Sequence, residues 1–302
     1  MAVFRNVAVV GASGNLGPHI INGLLDAGFT VTVLTRESSN STFPSGVAVK
    51  KVNFDNSESL KSALQGQDAL VSVIATMAIA SQNLLFDAAI AAGVKRIIPS
   101  EFGTDTQTVT GPMKMMLAGK IAALEYLKEK TQENPSVTWT GISNSAFFDW
   151  SLDYGITGFE ADTKTATIID SGNEKVSWSN LAFVGRCVAA ALKKPEDTAN
   201  KYLTVAEVNA SQNDMLAFIQ KETGTTWTIK QEKSSDLDKS GHEALAKGDG
   251  LTAFVNFLKA GMFGDGSGNA IKPEKNATQA LGVKCDTMED TIRAWLNRKG
   301  LV

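Results

Sequence analysis

The sequence predicts an α/β fold, a doubly wound parallel sheet that carries a smaller C-terminal lobe, and three observations predict it. The first half alternates short β-branched runs with longer stretches of helical periodicity, the rhythm of parallel strands joined by crossover helices. A glycine-rich turn, Gly11-Ala12-Ser13-Gly14-Asn15-Leu16-Gly17, follows the first run and opens the first helical stretch. Beyond about Trp150 the alternation weakens, and glycine, aromatic and polar residues mix in patterns suited to covering one end of a sheet.

Strands are expected over residues 7–10, 30–35, 47–53, 69–75, 96–99 and 137–143, where Val, Ile and Thr concentrate. Between them, residues 16–27, 57–64, 81–92 and 115–130 place apolar side chains at helical spacing. Gly28 and Gly93 follow two of these helices as C-caps. The expected domains are residues 1–150 for the sheet and 151–302 for a substrate-binding lobe, with about 178–206 returning to the first core. That return consists of a helix over 181–192 and a strand over 202–205, and residues 287–299 read as a closing amphipathic helix.

A chain of 302 residues with 43% hydrophobic content can bury a sizeable core. Lys and Arg total 29 against 32 for Asp and Glu, so no basic field exists to hold a nucleic acid. Cys187 and Cys285 stand alone without metal-site spacing, and no metal is expected. Residues 1–10 lack the pattern of a cleavable leader, and no run approaches the roughly 18 apolar residues of a membrane span. A cytoplasmic protein without a membrane partner is the expectation, as monomer or homodimer.

The glycine turn has the context of a Rossmann dinucleotide site. Gly11 permits a tight exit from the strand, Gly14 lets backbone approach a pyrophosphate, and Gly17 lets the helix pack on the sheet. Free N–H groups and the helix dipole then favour an anion there, with Ser13, Asn15 and Leu16 among the expected cofactor contacts. The second strand ends in Thr35-Arg36 where an NAD site places an acid for the ribose 2′-hydroxyl. A guanidinium there pairs with a 2′-phosphate, with Ser13, Ser38 and Ser39 as hydroxyl donors, so NADPH is the expected cofactor. Glu37 is the complication: facing the ribose in place of Arg36 it would favour NAD, and a surface ion pair would account for either residue.

His19 and His242 have no recognisable catalytic partner. One Tyr-x-x-x-Lys pattern exists, Tyr126 to Lys130, but it lies late in its helix, away from the strand C-termini where cofactor binds. Lys120 lies near the start of that helix, beside Met115, Met116, Leu117 and Ala118, whose apolar surroundings would lower an ammonium pKa. It reads either as a general acid or base or as an ordinary surface lysine.

Together the glycine turn, Ile98-Pro99-Ser100-Glu101-Phe102-Gly103-Thr104-Asp105, Gln82, Lys120 and the run Ser143 to Trp150 resemble the isoflavone reductase-like, NmrA-like branch of atypical short-chain dehydrogenases. The resemblance covers most of residues 3–205. It implies an NADPH-dependent reductase in which Lys120 is the catalytic acid/base. It also implies that Phe147 packs near the nicotinamide and that Thr76 and Met77 lie over the cofactor ribose. Ser100, Glu101 and Phe102 would line the exit of the fifth strand, Ser100, Phe102 and Asn144 are further cofactor contacts, and Phe102, Phe148 and Trp150 would meet substrate. The stretch Thr106 to Pro112 departs from the charged residues of the plant pattern, so plant substrates do not transfer to this chain.

Phe148, Trp150 and Phe159, with a second cluster of Phe254, Phe257, Met262 and Phe263, suit either an aromatic-tolerant pocket or plain core. The expected reaction is hydride transfer to a small conjugated or aromatic carbonyl, imine or benzylic ether. The alternative is an NmrA-like regulatory protein that senses NADP(H) without turnover.

Overall fold

The computed structural model describes residues 4–302, with the backbone alone for Met77, Ala80 and Ser81. Residues 4–143 fold as β1 (Asn6–Val10), α1 (Gly17–Asp26), β2 (Thr30–Arg36), β3 (Ala48–Val52), α2 (Ser57–Leu64), β4 (Ala69–Ser72), a 3₁₀ turn (Thr76–Ser81), α3 (Gln82–Ala91), β5 (Arg96–Ile98), α4 (Gly111–Met116), α5 (Ala118–Glu133) and β6 (Thr138–Ser143). There follow β7 (Ala146–Phe147), α6 (Phe148–Asp153), β8 (Phe159–Glu160), β9 (Thr165–Ile169), β10 (Val176–Ser179), α7 (Leu181–Lys193), β11 (Lys201–Thr204) and β12 (Val208–Ala210). The chain ends with α8 (Gln212–Thr223), β13 (Thr228–Glu232), α9 (Ser234–Ala246), α10 (Gly250–Phe263), α11 (Thr278–Leu281) and α12 (Met288–Arg298).

Seven parallel strands make the main sheet in the order β11-β6-β5-β4-β1-β2-β3. The order reverses between β1 and β4, and in such sheets ligands bind outside the strand C-termini at that switch point. Alternation along each strand splits its side chains between two cores. Val7, Val9, Val31 and Val33 meet α1 and α7 on one face, while Ala8, Val10, Leu34 and Leu70 meet α2, α3 and α5 on the other. Against α1, α7 packs backbone to backbone, since a Cβ at Gly185 would fall 2.1 Å from the carbonyl oxygen of His19 and one at Gly23 2.5 Å from Gly185. Arg96, fully buried, ties β5 to β6 and to the approach to β11 through Thr138, Thr140, Thr198 and the carbonyl of Pro195.

The lobe contains two three-stranded sheets, β12-β10-β7 and β13-β9-β8, over a core of Phe148, Trp178, Trp227, Phe263 and Trp295. Capping boxes start α8 (Ser211 with Asp214) and α12 (Thr287 with Asp290). Among the described residues no helix is long and apolar enough to cross a membrane.

One expectation is corrected. The helix expected over 115–130 is two helices that break at Leu117, where the backbone (φ −99°, ψ 7°) leaves helical geometry and the side chain is buried. Gly111 and Pro112 start a short first helix, and the break re-aims the second so that Lys120 points inward.

Candidate active site

At the C-terminal edge of the sheet, the exits of β1, β2, β4, β5 and β6 bring the candidate residues together. Gly11 turns out of β1 with φ +83°, and a Cβ there would lie 2.6 Å from the carbonyl of Val73, on the exit of β4. A Cβ on Gly17 would lie 2.2 Å from the carbonyl oxygen of Ala12. These two glycines are thus required for packing. Gly14 differs: it is exposed, and its Cβ would meet only Gly11 oxygen at 3.3 Å, so its openness is toward solvent.

The amides of Gly14 and Gly17 are used within the turn, by Gly11 and Gly14 oxygens. Those of Ser13, Asn15 and Leu16 find no acceptor among the described residues. Ser13 and Asn15 are exposed, whereas the Leu16 side chain is buried, so Leu16 offers its amide alone. The loop is therefore an open cradle of free N–H groups at a helix start, the setting for a pyrophosphate.

Arg36 closes β2 fully in solvent, as does Ser38 beyond it. Neither Arg36 nor Glu37 makes an ion pair among the described residues, so the surface-pair explanation fails for both. A guanidinium left free at the end of β2 fits a 2′-phosphate.

After β5, Ser100 is locked into the fold. Its amide donates to Gln82 Oε1 (3.0 Å) and its hydroxyl to the Ile74 carbonyl (2.8 Å), which joins the exits of β4 and β5. Ser100 thus shapes the cleft from behind. The ring of Phe102 is buried in the sheet core, and its carbonyl accepts from Lys120 Nζ at 2.8 Å. Thr76 is half-buried at the start of the 3₁₀ turn, and the Met77 side chain lies outside the described residues.

Lys120 is buried, and desolvation pulls its amine down from 10.5 to about 8, opposed by the charge of Glu101. Of the apolar neighbours the sequence offered, Leu117 is buried and Met116 half-buried, whereas Met115, 53% exposed, and Ala118 face solvent; the amine itself reaches the Phe102 carbonyl. Tyr126, by contrast, donates to Asp87, while Lys128 and Lys130 pair with Glu125 and Glu133, so the Tyr-x-x-x-Lys pattern is a helix surface.

After β6, Asn144 is fully buried. Its Oδ1 accepts from the Gly103 amide (2.9 Å), which leaves Nδ2 without a partner among the described residues. Ser143 completes the clasp by donating to the Gly103 carbonyl at 2.8 Å. Phe147 is half-buried against the sheet core. Phe148 departs from expectation: its ring lies tilted against Trp178 with centroids 5.2 Å apart inside the lobe core, and at 1% exposure it has no face left for substrate. Trp150 is half-buried, stacked on Tyr154 at 4.7 Å, with Nε1 unpartnered. Phe257, Met262 and Phe263 are core as well.

Sequence reasoning missed the polar cluster behind Lys120. Buried Glu101 accepts from Thr106 Oγ1 and, at 3.1 Å, from Tyr202 on β11. Burial pushes the Glu101 carboxyl and the Tyr202 phenol up. A glutamate three residues past the buried strand Arg96–Ile98 was the available signal for Glu101, but 101 residues separate it from Tyr202. A cleft of about 400 Å³ between α4 and the α9–α10 pair is lined by Thr110, Met113, Asp238 and Phe257. A larger one of about 590 Å³, at Tyr154, Glu160 and Lys230, lies on the lobe and shares none of its lining with the glycine turn, Arg36 or Lys120.

A glycine cradle, a free arginine at β2 and a buried lysine at the β5 exit occur here in one chain whose residues 5–246 match the profile of the NmrA-like family. The chain belongs to the NmrA-like family. This NmrA-like chain is 36% identical over 296 residues to the oxidoreductase aprR of Aspergillus flavus, covering 96% of this chain and 98% of that protein. In fold it is similar to a crystal structure of isoflavone reductase (TM-score 0.81, 20% identity, 97% and 100% of the two chains). The binary complex of leucoanthocyanidin reductase with NADPH from Vitis vinifera is similar too (TM-score 0.79, 19% identity, 97% and 99%).

Proposed function

We propose that this NADPH-dependent oxidoreductase uses the Lys120 amine as general acid/base in reducing a small conjugated or aromatic substrate. The observation that carries the reading is Lys120 itself: a buried amine, brought to about 8 by desolvation and anchored by one carbonyl, with two donors left over. Burying an amine without a salt bridge costs stability, and a pKa moved close to neutrality is what proton transfer needs. Packing alone gives no reason to keep a lysine there.

The free amides of the glycine turn, Arg36 and the orphaned Nδ2 of Asn144 fit a dinucleotide whose 2′-phosphate meets the guanidinium. Bound NADPH supplies the hydride. Lys120 holds the proton for the atom that gains electrons, the Phe102 carbonyl fixes where that proton sits, and Ser100 with Gln82 keeps the β5 exit closed behind it. The substrate class is supported by the compounds for which the structural neighbours are named, isoflavone and leucoanthocyanidin.

The test is NADPH consumption against a panel of aromatic carbonyls, imines and benzylic ethers, by the natural chain and Lys120→Ala. Turnover should fall by about 100-fold or more in the variant with NADPH affinity nearly kept. If no compound is turned over, the weight moves to an NADP(H) sensor.

A further inference from the structure

The Glu101 carboxylate and the Lys120 amine are buried together yet do not pair. No ion pair joins them among the described residues. The carboxylate is occupied elsewhere, by the Thr106 hydroxyl and the Tyr202 phenol, and the amine is held by the carbonyl of the very next residue, Phe102. Thr106 also takes the Tyr202 oxygen through its own amide at 3.2 Å, so the phenol cannot swing away without breaking two contacts. Gly141 on β6 makes the ring's position possible, since a Cβ there would lie 2.5 Å from Tyr202. The arrangement therefore spans β5, the loop after it, β6 and β11, and it costs a buried charge that an apolar residue at 101 would avoid.

We infer that Glu101 is a positioning residue for Lys120: its carboxylate, fixed by Thr106 and Tyr202 beside the amine but not on it, governs when the amine gives up its proton. This rests on the reading of Lys120 as the acid/base. A direct salt bridge would hold the amine's protons too tightly to pass on, whereas an apolar residue would let the amine lose its proton at lower pH. A charge held at one remove keeps it protonated and free to donate.

The other groups around the amine do not compete for this role. Within a turn of Lys120 on α5 no residue titrates, and neither does any in the turn Thr76–Ser81. On α4, Lys114 is solvent-facing, while Asp105 acts on Glu101 and Tyr202 and not on the amine. Among the described residues Glu101 is the charge that acts on Lys120.

The experiment is a pH titration of ¹³Cε-lysine resonances in the full chain, with Lys120 assigned by its loss in Lys120→Arg. Glu101→Gln keeps the shape and removes the charge. Its Lys120 midpoint should fall by about one pH unit, the low end for an opposite charge nearby. Tyr202→Phe should lower it by less, and it decides the matter if Glu101→Gln does not fold. An unmoved midpoint in a folded variant overturns the inference. The titration needs no substrate, so it separates the two ideas: a midpoint that follows Glu101 in a protein whose turnover survives Lys120→Ala sinks the catalytic reading alone. With a turned-over compound in hand, the alkaline limb of kcat/KM should move to lower pH in Glu101→Gln. A merely structural glutamate would lower the rate equally at every pH.

Discussion

Lys120 Nζ donates to the main-chain oxygen of Phe102 at 2.8 Å, the one hydrogen bond that holds this buried ammonium among the described residues. Protonated, the amine destabilises the fold. The folded chain releases its proton near pH 8 while the unfolded chain keeps it to about 10.5, so between those values the unfolded state binds more protons and stability rises with pH. The full penalty below that window is about 3 kcal/mol. Lys120→Met, similar in size and uncharged, should raise the urea midpoint near neutral pH, flatten the rise above pH ~8 and abolish turnover. A variant that is less stable at neutral pH would mean that the charge is compensated.

Gly14 and Gly17 separate cofactor binding from packing. A Cβ on Gly17 collides with the Ala12 backbone at 2.2 Å, so Gly17→Ala should cost about 2 kcal/mol or more in stability and take NADPH binding with it. A Cβ on Gly14 meets one oxygen at 3.3 Å and nothing else within 4 Å, so it would stand in the open space beside the free amides of the turn. Gly14→Ala should therefore melt within a few degrees of the natural chain yet bind NADPH about tenfold or more weakly in a fluorescence titration. Unchanged affinity would remove the pyrophosphate from this loop.

Much of this was legible because it is local. Strand-forming runs such as Val7 to Val10 announce themselves by composition, Gly11 and Gly17 by the turn they must make, and Arg36 by its place one residue past a strand. Leu117 was not, because a helix break inside an apolar run carries no Pro or Gly signal at the break itself and follows from what Lys120 and Phe102 do in three dimensions. The same is true of Phe148, whose side chain reads equally as pocket or core until Trp178 is seen against it. Tyr202 and Gly185 are further cases: their partners, Glu101 and His19, lie on other elements, and no period in one sequence links them.

Arg36 tests the cofactor preference without touching the fold. Its side chain is exposed and makes no ion pair among the described residues, so Arg36→Ala should leave the melting temperature unchanged within about a degree. Affinity for NADPH should fall roughly 10- to 100-fold, and NADH affinity should hold or improve. Equal loss for both would place the guanidinium on the adenine and not on the 2′-phosphate.

Glu207 gives the fold a pH response distinct from that of Lys120. Its carboxylate accepts the amides of Asn180 (2.7 Å) and Asp286 (3.0 Å), and Arg186 stands 3.5 Å off, so it fastens the start of α7 to the segment before α12. Burial outweighs those donors and pushes the group from 4.5 up to about 7. Over that window the folded chain keeps a proton that the unfolded chain has lost, and this group's contribution to stability falls as pH rises. Urea midpoints of the natural chain and Glu207→Gln at about pH 5 and about pH 8 should show the variant losing less across the interval, since a neutral amide, which keeps one of the two acceptor oxygens, has no proton to lose between those values. If the two proteins lose equally, the carboxylate is ionised throughout and its amide contacts, not its burial, set its charge.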